Sequence, residues 1–264
     1  GTMNFDALSS ASGYEKYYGK NEYPGPNSDF DGNWGIFDEP WLQFMDNEMD
    51  KLKEPFHTTV FTLSSHHPYT IPEQHINQFP KGTCQLHECI GYADYSLRKF
   101  FETAKGKDWY KNTLFIITAD HTGELVNPCF TNAPSNYAIP MIWYYPADSL
   151  LKGKNTETCQ QIDIMPSIAD YLNLNQKVYG FGRSVFDHSL PRFAVLYINK
   201  IYRLIMHSKM LDFDGKEVLY YGDIYDCRGN PSYTDSNKEK EFRFLKALIQ
   251  QFNNRMIHNK LCSP

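Results

Sequence analysis

A chain of 264 residues with 41% hydrophobic and 16% aromatic side chains carries enough apolar surface for a packed interior, which excludes an intrinsically disordered protein. Its formal net charge of -5 and the lack of any basic stripe exclude nucleic acid as a partner. No apolar run approaches the roughly 18 residues that a membrane-spanning helix needs, and no signal-peptide pattern opens the chain.

The opening GTMNFDALSS has neither a charged n-region nor an initiator Met, and it reads as the start of a piece of something longer. The first 50 residues are rich in Gly, Asn, Asp and aromatics and predict loops and short turns, followed by a helix over 41–52. The β-branched run HTTVFTLSS predicts a strand over 57–65, stopped by HHPYTIP, where Pro68 and Pro72 forbid regular continuation. Leu86, Ile90, Ala93, Leu97, Phe100 and Ala104 then step by three and four, the spacing of an amphipathic helix. NTLFIITAD and AIPMIWYYP predict two further strands, and CQQIDIMPSIADYLN another helix.

Strands alternating with helices of this length predict an α/β fold in which a parallel sheet is sandwiched by helices. After about residue 190 the pattern becomes strand-like, with turn signals at Asn199-Lys200 and Asp214-Gly215, and helical spacing returns over 238–259. The expected division is therefore an α/β core over 1–188 and a small antiparallel sheet with a terminal helix over 189–264.

The six cysteines, at 84, 89, 129, 159, 227 and 262, include no CxxC pair, which argues against a structural zinc site. Free thiols and one or two disulfides in an oxidising compartment both fit them.

Two strand exits carry the chemistry. FIITADHTGE brings an apolar strand to an abrupt end at Asp120 and His121. In an open α/β sheet ligands bind where the strands end, because the loops there converge. A carboxylate oxygen beside a neutral imidazole nitrogen suits Mn²⁺ or Zn²⁺, and Mg²⁺ less well. The same dipeptide also fits an Asp capping the next segment beside a solvent-facing His. The second exit, SSHHPY, carries His66 and His67. If the two strands are neighbours, an imidazole there reaches the same crevice, where it could bond an anionic oxygen or act as a general acid. Two polar residues in a proline-stiffened turn is the alternative.

TLSSHHPYTIP, YADYSLRKFF, WYKNTLFIITADHTGE, IPMIWYYP and QIDIMPSIADYL with GFGRS follow one another in this order, after GNWGIFDEPWLQF. Together they make nearly the whole chain resemble the catalytic domain of lipoteichoic acid synthase-type proteins. These are phosphoglycerol transferases with a sulfatase-like domain in the alkaline phosphatase superfamily.

The resemblance implies a metal pair at Asp120 and His121 and a substrate-binding histidine at His66. It implies structural roles for Asp163 and Pro166, which would pack a helix onto the sheet, and for Asp94, which would bond nearby backbone; Glu124 receives no role and is expected at the solvent. It further implies one divalent cation, manganese before magnesium or zinc, and a phospholipid headgroup or another phosphate or sulfate ester as substrate. The catalytic domain would lie outside the cell membrane, tethered through upstream helices.

The nucleophile of such enzymes, a Thr, and their acidic metal ligand come from an N-terminal segment upstream of GTMNFD, so no catalytic nucleophile is expected in this chain. The C-x-P-x-R signature of true sulfatases does not occur, and MNFDAL offers no counterpart to the family's substrate-contacting Arg. A phosphate or sulfate ester hydrolase on the same fold, and a non-catalytic binding module that kept the fold, are the competing readings.

Overall fold

The computed structural model describes residues 2–126, 137–175, 179–224 and 236–261. The chain divides into two compact units, 1–126 with 139–152 and 127–138 with 153–264. This grouping puts 153–188 with the C-terminal sheet, a different cut from the division at 188/189 read from the sequence pattern. Cys84, Cys89 and Cys159 are free thiols, and Cys129, Cys227 and Cys262 lie outside the described residues.

The first unit holds α1 (Phe5–Ala11), α2 (Asp38–Met49), α3 (Gln85–Ala104), β1 (Phe115–Thr118) and β2 (Met141–Tyr144). Its core is an aromatic and aliphatic cluster of Leu42, Met49, Phe100, Ala104, Trp109 and Tyr110, with Phe56, Val60 and Phe115 packed against it. Each large side chain fully buried there stabilises the fold by about 1.5–3 kcal/mol. The helix over 85–104 forms as its spacing predicts, but its buried face is turned. Leu86, Cys89, Tyr92, Ser96, Phe100 and Ala104 are inside, while Ile90 is exposed.

The turned face has a reason. Buried Tyr92 offers its hydroxyl oxygen to the backbone N–H of Glu39 at 3.2 Å, satisfying one of the orphan donors at the start of α2. A second is satisfied by Ser64, whose Oγ accepts from the N–H of Asp38 at 3.0 Å. The Asp38 carboxylate returns the favour, its Oδ1 accepting from the N–H groups of Leu63 and Ser64, both at 2.9 Å. The segment that leads into His66 is thus clamped to the first turn of α2.

Two expectations about the sheet change. Residues 57–63 form neither helix nor strand; Phe56, Thr58 and Val60 are half-buried while Thr59 and Phe61 face out, and the segment joins no ladder among the described residues. The predicted strand over 57–65 is not formed among the described residues, and Ser64 and Ser65 lie in a turn. β1 and β2 form an antiparallel pair, with Phe115 opposite Tyr144 and Thr118 opposite Met141. A parallel neighbour needs a crossover connection, usually a helix, and the linking stretch 119–140, with Asn and Pro scattered along it, has no helical pattern. Nor does the loop-like reading of the first residues anticipate α1, whose seven residues include none that is buried.

The second unit contains α4 (Ile164–Tyr171), β3 (Phe193–Ile198), β4 (Ile201–Met206), β5 (Lys209–Phe213), β6 (Val218–Asp223) and α5 (Lys238–Ile257). The four strands make an antiparallel meander in the order β3-β4-β5-β6. Asn199-Lys200 turns with φ of 51° and 67°, and His207-Ser208 with 48° and 60°. Two central residues with positive φ mark the type I′ hairpins that match the twist of paired strands. Leu204, Leu211, Tyr221 and, from α5, Leu245 close the core of this unit.

Asp163 and the GFGRS segment explain each other. The buried carboxylate accepts from the N–H of Gln160 at 3.0 Å and of Arg183 at 2.9 Å, and with Gln160 it forms a capping box ahead of α4. Ser167 extends the lock, donating to the Asp163 carbonyl at 2.5 Å and accepting from the N–H of Val185 at 2.8 Å. Gly182 lies so close to this turn that a Cβ would meet the Ile162 carbonyl oxygen at 1.9 Å. Asp163 is structural, as its motif implies.

Candidate metal and substrate site

β1 surfaces at its last residue, Thr118, and after Ala119 the chain turns at Asp120 and His121. The N–H of His121 donates to Asp120 Oδ1 at 2.8 Å, which bends the chain and leaves Oδ2 3.4 Å from His121 Nε2. His121 Nδ1 lies 2.7 Å from the carbonyl oxygen of Thr122. A carbonyl only accepts, so Nδ1 carries a proton, and in the neutral ring Nε2 presents the lone pair.

This arrangement is the one a metal-binding histidine adopts, with the second ring nitrogen tied to a backbone acceptor that fixes tautomer and orientation. Two ligand atoms, each about 2.1 Å from one ion, stand roughly 3.0–3.4 Å apart in octahedral or tetrahedral geometry. The Oδ2–Nε2 separation of 3.4 Å fits, and the hard oxygen with an imidazole nitrogen fits a divalent first-row ion. Among the described residues no third His, Cys, Asp or Glu joins the pair, so these two alone would supply only part of a metal's coordination sphere.

His66 sits at the other exit. Its N–H bonds the Leu63 carbonyl at 3.0 Å, and its own carbonyl accepts from Tyr69 N–H at 2.8 Å, a turn that holds Tyr69 at φ 63°. The ring is exposed, with Nδ1 2.9 Å from the His67 carbonyl oxygen and the indole of Trp34 against it, ring centroids 3.8 Å apart.

The structure therefore pairs Asp120 with His121 directly, and engages His66 with other partners. The two loops meet electrostatically at Tyr69, whose hydroxyl pKa is pushed up by burial and, after that, by the negative charge of Glu124. Glu124 is exposed, as expected. Asp94 is not where its motif implies: it lies on the exposed face of α3 and pairs with Arg98 at 3.0 Å, one turn on, rather than with backbone. Sequence reasoning passed over Trp34 and Tyr69. The signal for Trp34 was available, since a tryptophan between glycines in a polar loop has no core to enter.

The framework that carries these residues is shared with solved proteins. A protein of the alkaline phosphatase superfamily from Vibrio parahaemolyticus superposes with a TM-score of 0.75 at 24% identity, over 93% of this chain and 60% of that one. The lipoteichoic acid synthase LtaP from Listeria monocytogenes does so with a TM-score of 0.71 at 18% identity, over 98% and 68%. The chain belongs to the sulfatase family, whose sequence profile matches residues 1–174. Its relatives include lipoteichoic acid synthase 1 of Bacillus subtilis, 25% identical over 206 residues, which are 70% of this chain and 32% of the relative. Lipoteichoic acid synthase of Staphylococcus aureus is 24% identical over 248 residues, 88% and 36%. The chain thus spans about a third of the length of the curated relatives it matches.

Proposed function

We propose that this chain is part of a metal-dependent phosphoglycerol transferase that acts on the headgroup of a glycerophospholipid. The observation that carries the reading is the Asp120–His121 pair, its Oδ2 and Nε2 3.4 Å apart and its imidazole tautomer fixed by Thr122. The sulfatase profile and the lipoteichoic acid synthase relatives support it.

Asp120 and His121 would hold one divalent ion, manganese before magnesium or zinc. When bound, such an ion lowers the pKa of a hydroxyl nucleophile and offsets negative charge on the group being transferred. The nucleophile in this reading is a threonine of the upstream segment. Its oxygen bonds to phosphorus as the bond to the diacylglycerol breaks, and the diacylglycerol leaves as an alcohol with the threonine's proton. An acceptor hydroxyl or water then displaces the threonine, which regains a proton. His66 Nε2 contacts an oxygen of the ester or of its leaving group. The protein would be anchored in the cell membrane with this domain on the outer side; no helix among the described residues is long and apolar enough to cross a membrane. Sulfate ester hydrolysis is the second reading, favoured by the family to which the chain belongs.

The test is manganese-dependent release of glycerol phosphate from phosphatidylglycerol by the polypeptide extended through its upstream sequence, beside Asp120→Ala. Release that disappears in the variant is expected. Near-full activity in Asp120→Ala would sink the metal assignment, and turnover of aryl sulfate in place of the phospholipid would select the second reading.

A further inference from the structure

We infer that Trp34 is a positioning residue for His66, holding the imidazole in its Nδ1–H form so that Nε2 alone faces the ester. The inference rests on the reading of His66 as the group that contacts the ester. It is carried by a single carbonyl oxygen, that of His67, which accepts two hydrogen bonds: from His66 Nδ1 at 2.9 Å and from Trp34 Nε1 at 2.7 Å. A backbone carbonyl has two lone pairs, and here both are used. The indole plane lies against the imidazole at the same time, tilted by 44° with centroids 3.8 Å apart. The ring of His66 is therefore fixed by a bond at one nitrogen and by contact on one face, and the residue that supplies the contact also binds the acceptor of the bond.

Trp34 is itself firmly placed. Asp31 Oδ1 accepts from the N–H groups of Asn33 and Trp34, both at 2.8 Å, and of Gly35 at 3.1 Å. The N–H of Asp31 donates to the Gly35 carbonyl at 2.9 Å, closing the loop on itself. Gly32, at φ +85°, supplies the left-handed residue this turn requires. Three residues beyond Gly35, Asp38 clamps Leu63 and Ser64, so the Trp34 loop and the His66 turn are both referred to the first turn of α2.

The consequence is chemical. An imidazole with its proton on Nδ1 presents an acceptor at Nε2, suited to receiving the proton of a hydroxyl, and passes a proton back to an anionic oxygen once it is protonated. Without Trp34 the ring keeps only its bond to the His67 carbonyl and loses the contact that restrains rotation and tautomer exchange, and free histidine in water favours the Nε2–H form.

The experiment is nitrogen NMR of the histidine rings in this chain, comparing wild type, Trp34→Phe and Trp34→Ala, before and after addition of glycerol 3-phosphate. Wild type is expected to show His66 protonated at Nδ1, Trp34→Phe to keep part of that preference through the ring contact, and Trp34→Ala to lose it. The glycerol 3-phosphate needed to shift the His66 signals should rise about 10-fold in Trp34→Ala. Because Trp34 is 42% exposed, both variants should fold, and unchanged amide spectra elsewhere would confirm it. An unaltered His66 tautomer in Trp34→Ala overturns the inference. A tautomer that follows Trp34 while glycerol 3-phosphate leaves His66 untouched upholds the coupling and overturns the ester reading of His66, so the two can fail separately.

Discussion

At the exit of β1, Asp120 and His121 keep 54% and 66% of their side-chain surface in water, and the bonds from His121 N–H to Asp120 and from His121 Nδ1 to Thr122 lie within the stretch 120–122. At the start of α4, Asp163 is 2% exposed, and its oxygens are bonded to backbone N–H groups as far away in sequence as Arg183. Both are aspartates that follow apolar residues within family motifs, yet they do opposite work. A buried carboxylate saturated by backbone donors closes the architecture. An exposed carboxylate beside an imidazole would, in the proposed reading, hold a ligand. The partners of a polar group, more than its presence in a motif, separate the two roles.

Substitutions can break that contrast or sharpen it. The largest expected effect is on activity: Asp120→Ala should lower turnover of the extended polypeptide by at least about 10²-fold, while its melting temperature stays where it was. Next is Gly182→Ala. The added Cβ meets backbone rather than a movable side chain, so the loss should reach or exceed the upper end of the roughly 1–3 kcal/mol typical of overpacking, read by denaturant unfolding.

Asp38 comes third. Removing its carboxylate in Asp38→Ala strips acceptors from the Leu63 and Ser64 amides and should cost about 2–4 kcal/mol, whereas Asp38→Asn keeps an amide oxygen in place and should cost less. A fluorescent or calorimetric melt of the pair decides whether acceptor or charge matters there.

The smallest effect is a pH dependence. Asp46, on α2, is fully buried with Lys107 Nζ 3.4 Å away, and its carboxyl is pushed above the ordinary range, chiefly by burial and against the pull of Lys107. A carboxyl with a raised folded pKa favours the protonated fold. Its contribution to stability is complete below the unfolded value and is lost as pH rises through the folded one. Asp46→Asn should therefore melt higher than wild type by a few degrees at neutral pH, with the gap closing toward pH 4. A gap that is constant with pH would show that Asp46 does not titrate in that window.

Much of this was legible in the sequence, because the signals were local. The helix over 85–104, the strands at 115–118 and 141–144, and the hairpin at Asn199-Lys200 follow from spacing, β-branched runs and turn residues. The fold class followed from the motifs and their order, which also single out Asp120, His121 and His66 as candidates for the proposed site.

What was hidden depended on partners distant in the chain. The face of α3 turned because Tyr92 caps α2, a bond across 53 positions that hydrophobic spacing cannot express. The His207-Ser208 turn lacks the Asn or Gly that marks positive φ, so its hairpin left no local trace. The segment 57–63 has strand composition, but composition does not say which neighbour completes a ladder.

The meander of β3 to β6 has a kinetic consequence. Every strand pairs only with its neighbour in sequence, across connections of two to four residues, so no pairing there waits for a distant segment to be found. Low contact order of this kind lets hairpins close on a timescale of about 1–10 μs. In the first unit, by contrast, the clamp between Asp38 and Ser64 and the Tyr92 cap must gather residues tens of positions apart. The C-terminal sheet can assemble by successive local steps, and the slower search belongs to the part of the chain that carries Asp120, His121 and His66.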